Sequence, residues 1–187
     1  MIHSVRFKCV LDTNVIYPLW IRDLLLWFAF YELYTPKWSD NIFDEWIDVM
    51  LRKGIEKKEA HKRANKMNLA FPDALVENYE PIIETISLPD KKDRHVLAAA
   101  ITTNADLIIT NNLKDFPKDY LSSFGLKAKC ADDFLTDIID LNQEISVEAY
   151  RKLVLNKKKP PYNEYDVLDI LRNNGLENTA DYLHAII

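Results

Sequence analysis

The apolar and polar positions of the chain follow two rhythms, short continuous apolar runs and longer stretches of helical period. Residues 7–11 are apolar apart from Lys8 and stop abruptly at Asp12, Thr13 and Asn14, as in a short buried parallel strand covered on both faces. In open α/β sheets ligands collect at the carboxyl ends of such strands, which puts Asp12 where chemistry usually sits. Asp12 and Thr13 equally suit the cap of a following helix, and the local sequence leaves both readings open. Residues 19–33 carry too little charge for a surface helix and are expected to pack between the sheet and another layer, with Pro18 in the first turn and Pro36 after the end. Trp38, Ser39 and Asp40 open a second helix that runs to about Gly54. Its apolar face is Ile42, Phe43, Trp46, Val49 and Met50, and Glu45 lies beside that face. The mixed charges of residues 56–66 read as a solvated helix. Residues 75–86 are open between a short helix and a strand, and Ile82, Ile83 and Ile86 favour strand near the end.

From Leu88 the pattern sharpens. Asp90 and Asp93 open a helix with its body at residues 95–102, where Ala98, Ala99 and Ala100 permit close approach to a sheet. Leu107, Ile108 and Ile109 form the next buried strand, which ends in Thr110, Asn111 and Asn112, with Asp115 just beyond. Residues 127–130 predict a short edge strand, and residues 132–141 a helix capped by Asp132. Past Asn142 no strand pattern remains. A basic, proline-containing break spans residues 157–161, its lysines at 157–159 reading as a solvated hinge, and two helices near residues 163–172 and 176–186 meet at Asn174 and Gly175. The expected architecture is an α/β, three-layer domain with a mostly parallel central sheet over residues 1–144, followed by a helical C-terminal extension over residues 145–187.

The composition adjusts this picture only slightly. With 187 residues, 48% hydrophobic and 28% charged, the chain can bury a core of domain size. A net charge of −5 argues against a protein that mainly blankets phosphate, but not against a nuclease, whose metal-binding acids would themselves contribute to that total. Cys9 and Cys130 lack zinc-site spacing and read as buried thiols in a reducing compartment. The opening MIHSVRFK lacks a secretory hydrophobic core, and the longest apolar stretch, residues 24–30, is far short of the roughly 20 residues that cross a bilayer. A cytoplasmic protein with no membrane partner is expected.

Asp12, Glu45, Asp93 and Asp115 are four acids in four different elements, each near a strand end or an inward-facing helix position. If they meet, repulsion is the first consequence: at an effective dielectric of about 20, two charges ~4 Å apart cost roughly 4 kcal/mol. Such a site asks for cations, and an all-oxygen donor set favours Mg²⁺ or Mn²⁺ over zinc. The matching chemistry is phosphoryl transfer with metal-activated water, a second ion steadying the leaving oxygen of a phosphodiester.

Four stretches, LDTNVIYP with the following RDLLL, then WSDNIFDEW, LPDKKDRHVLAAAI and IITNNLKDFP, resemble in their order the PIN-domain ribonucleases. The chain is more closely similar to the VapC-type toxins of toxin-antitoxin pairs that carry a helical C-terminal extension. The resemblance implies a Mg²⁺- or Mn²⁺-dependent endoribonuclease with an RNA substrate, held inactive by an antitoxin protein and forming a homodimer. It makes Asp12, Glu45, Asp93 and Asp115 the metal-binding acids. Asn14 and Asn112 fall beside them, and Thr13 and Thr110 supply hydroxyls for a metal's water or a neighbouring carboxylate. Asn112 stands where some relatives carry an acid, a departure that bears on whether a second ion binds. Asp90 reads as a helix cap, and His95 as a residue that packs or hydrogen-bonds within its helix. Arg22 would contact phosphate or pair with Asp23, while Tyr17 and Trp38 lie near enough to the predicted mouth to stack on a base. The alternative function is a catalytically silent PIN fold that binds RNA or protein. A phosphate-accepting receiver domain and a haloacid-type phosphatase fit less well, the latter because Asn14 replaces the second aspartate.

Overall fold

Four short strands, Lys8–Leu11 (β1), Thr35–Lys37 (β2), Leu107–Ile109 (β3) and Lys127–Lys129 (β4), pair in the order β2-β1-β3-β4, every pair parallel. This is a computed structural model that describes residues 7–187. The reading of the opening residues as free of a leader concerns a stretch that, up to residue 6, lies outside the described residues. The helices in chain order are Thr13–Ile16 (α1), Leu19–Phe30 (α2), Asp40–Arg52 (α3), Lys57–Ala70 (α4), Glu80–Ile83 (α5), Arg94–Thr102 (α6), Lys118–Ser122 (α7), Ala131–Leu141 (α8), Gln143–Asn156 (α9), Glu164–Asn173 (α10) and Glu177–Ile186 (α11). Among the described residues, no helix is long and apolar enough to cross a membrane. By compactness the described chain forms two units, one of residues 7–17 and 35–129, the other of residues 18–34 and 130–187.

In the first unit β1 is an inner strand, paired on both sides, and Cys9, Val10 and Leu11 are all buried, as its unbroken apolar run requires. Each apolar side chain removed from water in this way contributes about 1.5–3 kcal/mol. α6 lies against β1 and β3, and its Ala98, Ala99 and Ala100 are fully buried, so small side chains do set a close approach. Ser39 caps α3, its hydroxyl accepting from the Ile42 N–H.

Two expectations need correction here. Residues 35–37, read only as lying past the end of a helix, form β2. Its Pro36 sits opposite Cys9, and a strand paired on one side only tolerates the missing N–H. Ile82 and Ile83 belong to α5 rather than to a strand, because Pro81 fixes a helical φ in the first turn and removes a donor that a ladder would need.

The second unit is helical. α2 lies along α9 with Ile21, Leu24, Leu25 and Phe28 buried, and Tyr34 meets Phe134 edge-on at 5.0 Å. The stop between α10 and α11 is as expected, with Gly175 at φ 81° where a side chain would be strained. Two expectations fail. Cys130, not Asp132, caps α8: its sulfur accepts from the Asp133 N–H at 3.4 Å, leaving this thiol half-buried while Cys9 is fully buried. Lys157 is not a solvated hinge residue, because its ammonium pairs with Asp23 at 2.6 Å and lies 4.4 Å over the Trp20 ring.

Candidate active site

The carboxyl end of β1 delivers Asp12. Its N–H continues the β1–β3 ladder to the Ile109 carbonyl at 3.1 Å, and its backbone then turns to start α1. The two readings left open by the sequence therefore hold together, since the carboxylate caps α1 through the Thr13 N–H at 2.6 Å and is also the centre of a polar cluster. Asn14 Nδ2 donates to Asp12 Oδ2 at 2.6 Å, and Thr110 Oγ1 donates to the same oxygen at 2.7 Å. Asn14 is itself held by the Asn111 N–H, 2.8 Å from its Oδ1. Burial pushes the Asp12 carboxyl up from its ordinary value, while the hydrogen bonds from Thr110 and Thr13 pull it back and the Glu45 charge adds to the rise.

A second cluster joins α1, α3 and α6. Thr13 Oγ1 donates to Glu45 Oε2 at 2.7 Å, and His95 Nε2 meets Glu45 Oε1 at 2.9 Å. Burial would raise the Glu45 carboxyl, but the hydrogen bonds from His95 and Thr13 outweigh it and the net shift is downward. His95 is buried at the start of α6, and its Nδ1 meets no protein partner among the described residues. The expectation that His95 stays within its own helix fails: it reaches across to α3. The missed signal is local, a lone polar side chain followed by five buried apolar residues, Val96 to Ala100, and two positions after Asp93.

The third cluster sits on two single 3₁₀ turns, Lys91–Asp93 and Leu113–Asp115, each ending in one of the acids. Asp90 caps the first turn, accepting from the Lys92 N–H at 2.9 Å, in keeping with its reading as a cap. Asn112 lies between the acids, its amide donating to Asp115 through a short hydrogen bond and approaching Asp93 Oδ2 at 3.5 Å. The Asn112 N–H donates to Thr110 Oγ1 at 3.1 Å, which ties this cluster to Asp12. Burial, then the charges of Asp12, Asp90, Asp115 and Glu45, push the Asp93 carboxyl up to about 6.

All eight residues singled out in the sequence thus lie in one unit and share one polar network. Trp38 lies in the same unit but outside that network: it is fully buried, its indole N–H bonded to Asn68 Oδ1 at 2.7 Å, so it offers no face to a base. Tyr17 is partly exposed, and Arg22 pairs with Asp23 at 3.5 Å. Among the described residues no three acids or histidines stand close enough to hold one ion as they are. The donor chemistry nevertheless fits a hard divalent cation, because the acids offer only oxygen and a cation would offset both the burial and the repulsion that raise Asp93.

Residues 8–114 match the PIN domain family, more than half of the chain and the span that holds Asp12, Glu45 and Asp93. The chain belongs to the PIN-domain family. Beyond this PIN region, residues 131–185 match the VapC50 C-terminal domain, which makes the protein VapC-like with a C-terminal extension. The PIN protein is also 44% identical over 80 residues to "Putative ribonuclease VapC50" of Mycobacterium tuberculosis, a match covering 43% of this chain and 47% of that relative. The chain therefore spans about half the length of the curated relative it matches. No solved structure matches it.

Proposed function

We propose that the chain is a divalent-metal-dependent endoribonuclease, using Mg²⁺ or Mn²⁺ to hydrolyse RNA phosphodiester bonds, and the toxin of a toxin-antitoxin pair. The observation that carries this reading is the gathering of Asp12, Glu45, Asp93 and Asp115 in one hydrogen-bonded network, in which burial first, and then the charges of Asp12, Asp90, Asp115 and Glu45, push the Asp93 carboxyl up to about 6. A scaffold gains nothing from such repulsion; a site for a cation does. Asp12, Glu45, Asp93 and Asp115 would hold the ion. Once bound, it would lower the pKa of water and offset negative charge on the phosphate.

The remaining residues prepare that site. Three donors fix the Asp12 carboxylate, two fix Glu45, and the Asn112 amide serves Asp115 and Asp93 together. Such prior orientation spares the site reorganisation when the substrate arrives. The name of the mycobacterial relative supports RNA as the substrate, and the C-terminal match supports the toxin role. A cognate antitoxin, a homodimer and a cytoplasmic location are part of the same reading.

The test is cleavage of a mixed pool of structured RNAs with Mg²⁺ or Mn²⁺, comparing the natural chain, Asp93→Asn and a chelated control. Cleavage that disappears in both controls is expected. No cleavage of any RNA, together with no metal binding, would overturn the proposal in favour of a silent binding module.

A further inference from the structure

Glu45 is held from two sides by residues of other elements, with Thr13 on one carboxylate oxygen and His95 on the other. Each carboxylate oxygen can accept twice, so each keeps one lone pair for another partner. Because a carboxylate only accepts, the proton shared with His95 sits on Nε2, and the buried Nδ1 has no protein partner among the described residues. The five positions after His95, Val96 to Ala100, are apolar and buried, so a leucine would suit its place in α6 better unless the reach to Glu45 matters.

We propose that His95 is a positioning residue of the acid site: with Thr13 it locks the Glu45 carboxylate in one orientation and leaves its remaining lone pairs free for a divalent ion. The proposal rests on the metal-dependent reading above. Groups that orient a metal-binding side chain from behind commonly matter by about 10–100-fold in metal affinity or activity. His95 acts on Glu45 in this manner across 50 positions of sequence.

The test uses the full chain and three readouts: Mn²⁺ binding by calorimetry without RNA, thermal melting in chelator, and single-turnover RNA cleavage. His95→Leu fills the space without the donor, and is expected to weaken Mn²⁺ binding about 10-fold or more and to slow cleavage in parallel. His95→Gln, which can place an amide N–H near the position of Nε2, is expected to restore most of both. In a Glu45→Ala background, His95→Leu should add no further loss, because its effect passes through Glu45.

Three results would overturn the proposal. One is a folded His95→Leu that binds Mn²⁺ and cleaves like the natural chain. Another is a His95→Leu loss that persists in full without Glu45. The third is a folded His95→Gln no better than His95→Leu. Should His95→Leu fail to fold, Thr13→Val and His95→Gln decide it: weakened Mn²⁺ binding in the former with binding retained in the latter supports the clamp, and the reverse overturns it. A natural chain that binds no Mn²⁺ and cleaves no RNA would overturn the nuclease reading along with the proposal, whereas an active natural chain with an unaffected His95→Leu would remove His95 alone.

Discussion

Thr110 Oγ1 donates to Asp12 Oδ2 at 2.7 Å, joining residues 98 positions apart. The register of the sheet explains why they meet: Leu11 of β1 pairs with Ile109 of β3, so the first polar residue after each strand emerges at the same edge. Thr110→Val keeps the shape and removes the donor. A hydrogen bond to a charged group contributes about 1.5–3 kcal/mol, so denaturant unfolding at neutral pH should show a loss of that size. Thr110→Ser should recover it. An unchanged unfolding midpoint for Thr110→Val would mean that Asp12 does not depend on this bond.

Asp93 makes a prediction about pH. Its carboxyl titrates near 6 in the fold, well above the ordinary aspartate value of 3.8. Such an acid binds its proton more tightly folded than unfolded, so stability should decline as pH rises through that interval and level off above it. Asp93→Asn removes this slope. In chelator, the variant should melt at or above the natural chain at pH 7, with the advantage shrinking towards pH 4. A variant that melts well below the natural chain at pH 7 would show that the negative charge at position 93 is not a burden to the metal-free fold.

How far the sequence reveals this protein depends on whether each signal is local. The buried strand at residues 8–11, the alanine face of α6 and the glycine stop before α11 are written in consecutive residues, and the structure agrees with each. β2 is not legible because three residues containing a proline carry no periodicity; only pairing with β1 makes them a strand. The positions of the acids were legible because each follows an apolar run or opens a helix. What each acid bonds to was not, since Thr13 and His95 converge on Glu45 from separate elements. Likewise, the sequence position of Trp38 suggests the mouth, whereas its indole bonds to Asn68 inside the core.

Asp132 shows the same limit in the helical unit. Read as the cap of its own helix, it serves another: its carboxylate accepts from the Asn178 N–H at 3.0 Å and the Thr179 N–H at 2.8 Å, and from both of their side chains. It therefore satisfies first-turn donors of α11 from α8. Asp132→Ala should destabilise this unit by about 2 kcal/mol, the upper end for loss of a helix cap. Urea unfolding followed by circular dichroism would measure it, and RNA cleavage well below the unfolding range should be unaffected. A loss under a few tenths of a kcal/mol would show that water replaces the carboxylate at no cost.

Asn112 offers the sharpest separation between the fold and the ion. Its amide is a neutral donor to both Asp115 and Asp93, and it stands where an acid would complete a denser cluster. Asn112→Asp exchanges that donor for a third carboxylate and so adds repulsion where Asp93 already titrates near 6. Without divalent ions the variant should lose stability at pH 7 and regain it on acidification, as protons replace the missing positive charge. With Mn²⁺ the order should reverse, because the added oxygen strengthens binding. A ligand present at 100 times its Kd adds about 2.7 kcal/mol to the bound fold. Thermal melting across a Mn²⁺ titration should therefore show Asn112→Asp starting below the natural chain and gaining more from the ion. Equal gains in the two proteins would mean that position 112 lies outside the reach of the metal.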